Sequence, residues 1–143
     1  MLVPGRWFLC ADLVSRPIVE LNVATAGDDW LAAKFLLDSG ADRTVFSNEL
    51  RCQLGIASAE NHELGGVGGH TRAELLRTKL RLNCDDGTVV TINGEFAAFT
   101  QDEALDMSVL GRDVMNLFAV IVDRPGDAVC LLGQRHRYRV EAV

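Results

Sequence analysis

Apolar residues in this chain recur mostly at every second position, the spacing of half-buried strands. Ile18-Val19-Glu20-Leu21-Asn22-Val23 alternates in this way, Ala26-Gly27-Asp28-Asp29 has turn chemistry, and residues 30–37 read as the returning strand. Further on, Leu80-Arg81-Leu82 leads to a turn at Asp85-Asp86-Gly87. Thr88-Val89-Val90-Thr91-Ile92 then runs back, Gly94 interrupts, and Phe96-Ala97-Ala98-Phe99 resumes as strand. Residues 119–132 predict a C-terminal hairpin, with Pro125-Gly126 at the centre of its turn. Residues 1–14, carrying Trp7, Phe8, Leu9, Leu13 and Val14, form a first strand or an arm. Helical signals are short. Residues 47–55 have Ser47 as N-cap and Gly55 as stop, and a second amphipathic turn begins near Arg112. The pattern predicts an all-β fold with one or two short helices.

Composition narrows the picture. The 143 residues suit one domain spanning 1–143, and 48% hydrophobic against 24% charged residues is ordinary for a globular protein. A net charge of −6 and a pI near 5.0 argue against nucleic acid and against an anionic membrane as main partners. The N-terminus has no basic segment followed by a sustained apolar run, so no signal peptide is expected, and no window approaches transmembrane length. Cys10, Cys52, Cys84 and Cys130 are scattered with no C-x-x-C pair, and His62, His70 and His136 offer no zinc spacing. Small core cysteines in a reducing cytoplasm and the absence of a metal or organic cofactor are the expectations. The acidic stretch 101–106 and the basic tail 133–143 read as solvated surface, the tail as an exposed or interface-edge strand.

Two stretches are not explained by patterning alone. In the first, the apolar run Phe35-Leu36-Leu37 stops at Asp38-Ser39-Gly40-Ala41 and resumes at Thr44. One carboxylate thus stands at the mouth of a tight loop with apolar flanks, a low-dielectric setting in which ionisation is costly. The second is Leu64-Gly65-Gly66-Val67-Gly68-Gly69-His70-Thr71, where four glycines around one valine suit a mobile tip between two strands. A phosphate-cradling G-x-G-x-x-G starts at Gly66-Val67-Gly68, but Thr71 stands where its third glycine belongs and no convincing helix follows.

Asp38-Ser39-Gly40 resembles the active-site loop of aspartic proteases, and with the glycine-rich tip it resembles the retropepsin-like family, in its cellular and bacterial branch. Arg16-Pro17-Ile18-Val19 is similar to that family's first core strand, and the hairpin 61–76 to its flap, with Val67 at the tip. Val109-Leu110-Gly111 resembles the hydrophobic-hydrophobic-Gly element that crosses beneath the catalytic loop. Gly111 would permit close packing there, and Arg112 resembles the helix arginine that pairs with the acid four residues after the catalytic one, here Asp42. The C-terminal hairpin departs from the viral enzymes and looks more like cellular retropepsin-like domains.

The resemblance implies a retropepsin-like barrel acting as a homodimer on protein or peptide substrates. Asp38 is the expected catalytic residue, Ser39, Gly40, Ala41 and Asp42 form its loop, and Gly65, Gly66, Val67, Gly68 and Gly69 form the flap. The chain has one Asp-Ser-Gly, so the second carboxylate of an acid–base pair must come from another copy. Two other classes stay open. One is a catalytically silent dimer that binds peptides, and the other is a small β-barrel that holds a ligand through the glycine loop.

Overall fold

The computed structural model describes residues 1–58, 60–66, 69–102, 107–133 and 141. Among these residues the chain forms ten strands and two short helices. In order they are β1 (Leu2–Leu9), β2 (Ser15–Ala24), β3 (Trp30–Leu37), β4 (Val45–Phe46), α1 (Asn48–Leu54), β5 (Glu60–Gly66), β6 (Gly69–Asn83), β7 (Val89–Phe99), β8 (Ser108–Leu110), α2 (Arg112–Met115), β9 (Ala119–Asp123) and β10 (Ala128–Leu132).

The alternation in β2 sets one face inward. Val19, Leu21 and Val23 are buried, as is Phe35, which pairs with Val19 across the β2–β3 hairpin. β3 then runs parallel to β8, β8 antiparallel to β4, β4 parallel to β7, and β7 antiparallel to β6. A short pairing of β6 with β2, Asn22 with Arg81 and Val23 with Leu80, closes these six strands into a ring. Closure removes two sheet edges and gives a barrel, as the family resemblance implied. Phe46 is fully buried in it, edge-on to Phe35 at 5.8 Å between centroids and 5.5 Å from Phe96.

Two extensions leave the ring. β1 pairs with β2 on one side and with β10 on the other, and β9 follows β10 as the outer strand. β5 lies along the first half of β6, with the register running from Glu60–Leu75 to Gly66–Gly69. Val67 and Gly68, the centre of the expected tip, lie outside the described residues. So do 103–106 of the acidic stretch and most of the tail, 134–140, 142 and 143.

The helix over 47–55 forms as its caps dictate. The Ser47 hydroxyl accepts from Leu50 N at 3.2 Å, Gly55 ends the helix at φ 65°, and Leu50 and Leu54 face the core. Elsewhere the structure departs from local expectation. Gly94 does not interrupt a strand, because β7 runs unbroken through it opposite Thr78. A Cβ there would stand 2.7 Å from the Phe96 ring, so the glycine makes room for an aromatic on the same face. Cys10 and Cys84 are buried and Cys130 half-buried, but Cys52 is exposed on α1, and all four are free thiols. Burial pushes the Cys130 thiol upward from its ordinary value.

Candidate active site

The loop expected to carry chemistry begins where β3 runs out of partners. Leu37, buried, is the last residue paired with β8, and one step on the Asp38 amide donates to Leu110 O at 3.2 Å. The chain then turns. Asp38 Oδ1 accepts from the Gly40 amide at 2.9 Å, and Asp38 O accepts from the Ala41 amide at 3.2 Å. A Cβ on Gly40 would lie 3.1 Å from Asp38 Oδ1, tight enough to push on the carboxylate. Asp38 is half-buried, while Ser39 and Gly40 are exposed. The apolar flanks therefore support the carboxylate from behind and leave its front open.

The far side of the loop is fastened to β8 and α2. The first two amides of α2 reach back to it, Arg112 N to Ala41 O at 2.8 Å and Asp113 N to Asp42 O at 3.2 Å. The Arg112 guanidinium pairs with the Asp42 carboxylate, the partner implied by the family resemblance. At Gly111 a Cβ would be driven into the backbone carbonyl of Arg43 and would stand 2.8 Å from Thr44 N, so only glycine lets the two segments approach this closely.

The strongest fastening involves residues not singled out by sequence. The Asp113 carboxylate accepts from Thr44 N at 2.9 and 3.0 Å and from Thr44 Oγ1 at 2.7 Å. Thr44 Oγ1 in turn accepts from Gly111 N at 3.1 Å, and Ser108 Oγ accepts from Ser47 N at 2.9 Å. Thr44 and Ser108 are buried, so their hydroxyls need such partners. The one available signal was a pair of polar residues, Thr44 and Ser47, flanking the apolar Val45-Phe46.

Thus Asp38, Ser39, Gly40, Ala41, Asp42, Gly111 and Arg112 form one assembly. Gly65, Gly66 and Gly69 lie at the end of the β5–β6 hairpin. Among the described residues no group of three or more His, Cys, Asp or Glu is placed to hold a metal ion. No helix among them is long and apolar enough to cross a membrane. Among the described residues the arrangement presents one half-buried carboxylate on a loop fastened to β8 and α2.

A family model described as aspartyl protease matches residues 22–114, from β2 through the loop to α2. Among solved structures, a retropepsin-like aspartic protease from Rickettsia conorii is 17% identical, with 92% of this chain and 97% of that one covered and a TM-score of 0.53. The EIAV protease complexed with an inhibitor is 22% identical over 75% of this chain and 91% of its own, with a TM-score of 0.47. The retroviral protease-like domain of Ddi1 from Leishmania major is 15% identical over 80% of this chain and 92% of its own, at 0.46. A search of curated proteins returned no match. The likeness to the Rickettsia protein is one of fold, and that fold is retropepsin-like.

Proposed function

The chain belongs to the aspartyl protease family, and from that premise we propose that it is a homodimeric aspartic endopeptidase whose dyad is Asp38 and the Asp38 of a second copy. One observation carries the reading. The single Asp-Ser-Gly is held from behind by β8 and α2, yet Ser39 and Gly40 are exposed and Asp38 is only half-buried. A loop so firmly held and so open at its front is suited to meet an identical loop across a two-fold axis.

Two carboxylates brought together hold one proton between them. The ionised member takes a proton from a water poised between them as that water attacks the scissile carbonyl, and the protonated member gives its proton to the carbonyl oxygen. Collapse of the resulting diol returns a proton to the departing amine. Ser39 would buttress the paired loops, and the Gly40 carbonyl would receive the substrate backbone. The β5–β6 hairpin, with Gly65, Gly66 and Gly69 at its end and Val67 and Gly68 between them in sequence, would close over an extended peptide and exclude water. Asp42, Gly111 and Arg112 act as supports.

The test is cleavage of casein or a peptide library across pH, with a pepstatin-type inhibitor, alongside a solution-mass measurement. The wild type should be a dimer that cleaves, and Asp38→Asn a folded dimer that does not. Full activity in Asp38→Asn would remove the carboxylate from the mechanism. A folded dimer that binds peptides without cutting them would leave a binding module of the same fold.

A further inference from the structure

The turn between β1 and β2 shows solvent an unusual amount of apolar surface. Leu9 is 61% exposed, Leu13 81% and Val14 48%. Yet the turn is firmly built. Cys10 N donates to Val14 O at 3.0 Å and Leu13 N to Cys10 O at 2.9 Å. The Asp12 carboxylate accepts from Val14 N at 3.2 Å and from both terminal nitrogens of Arg16, at 2.8 and 2.7 Å. Leu13 adopts φ 65°, a left-handed conformation that a bulky L side chain disfavours. A leucine held there, with its side chain in water, gains nothing for the isolated chain.

Strand register says where this turn lies. β1 is antiparallel to β2 with Leu9 opposite Ser15, and β2 is antiparallel to β3 with Ile18 opposite Leu36. The turn therefore sits at the end of the sheet where β3 gives way to Asp38. A second copy must approach that end if two Asp38 loops are to meet. We propose that Leu9, Leu13 and Val14 pack against that second copy and form an apolar flank to the paired loops. The proposal rests on the dimeric reading above and adds the surface that holds the dimer together. Asp12 and Arg16 neutralise each other, so the contact brings no unpaired charge with it. An anionic lipid surface is a poor alternative occupant for a chain of net charge −6.

Leu13→Gly provides the test, because glycine accepts the left-handed backbone and removes only the side chain. Sedimentation across a concentration series, thermal melting and peptide cleavage are compared for wild type, Leu13→Gly and Leu13→Asp. Both variants should keep a folded chain and raise the dimer dissociation constant by about tenfold or more. Cleavage should fall at low protein concentration and recover at high concentration. Unchanged dissociation constants beside a dimeric wild type would overturn the proposal and leave the Asp38 dyad standing. A wild type that stays monomeric at high concentration would overturn it as well. Should both variants weaken a dimer that cleaves nothing, the interface stands and only the protease reading fails.

Discussion

Thr44 and Asp113, 69 residues apart in sequence, make three hydrogen bonds between the end of the Asp38 loop and the first turn of α2. Thr44 is completely buried, so its amide and hydroxyl have no water to turn to if the carboxylate is lost. Asp113→Ala should therefore destabilise the fold by about 1–3 kcal/mol, the cost of buried donors left without acceptors. Asp113→Asn, which keeps one acceptor oxygen, should lose less. Urea unfolding of the two variants checks the order, and equal losses would count against the carboxylate's role.

Arg112 makes the more conspicuous contact and the weaker one. Its side chain is 52% exposed and that of Asp42 79%, so water screens the ion pair on most sides. Arg112→Ala should cost only about 0–1 kcal/mol, as exposed pairs do. The backbone bond from Arg112 N to Ala41 O survives the change. The same unfolding measurement checks this, and a loss matching that of Asp113→Ala would reverse the ranking.

What could be read along the chain was whatever a few neighbouring residues determine. The β3 limits, Trp30–Leu37, follow from a turn cluster on one side and Asp38 on the other. The caps of α1 follow from Ser47 and Gly55, and the Asp38 loop and the Arg112–Asp42 pair from residue types matched to a known family. Contacts set by closure in three dimensions left almost no trace in sequence. The β2–β6 pairing joins residues 57 or more positions apart through only two partner pairs, and no periodicity marks it. Gly94 reads locally as a strand breaker because its reason, the Phe96 ring above it, is a matter of packing. Thr44 and Asp113 were invisible for the same reason. A threonine before two apolar residues and an acid in a helix's first turn are each commonplace, and only the fold brings them together.

The turn that carries Leu13 should stay clamped well into acid. Asp12 is held down from its ordinary 3.8 to about 2, first by the Arg16 side chain and then by the Val14 amide. Because the folded value is the lower one, the contribution of this pair to stability is complete above about 3.8 and is lost as pH falls through about 2. A titration followed by the Asp12 carboxyl carbon signal in NMR should accordingly have its midpoint near 2. In Arg16→Leu the largest cause is removed, and the midpoint should climb toward 3.8, with the Val14 amide keeping it somewhat below. In that variant only the Val14 amide still holds the carboxylate, so the turn is looser than in the wild type at neutral pH as well as in acid. A wild-type midpoint at the ordinary carboxylate value would show that Arg16 does not hold Asp12 in solution.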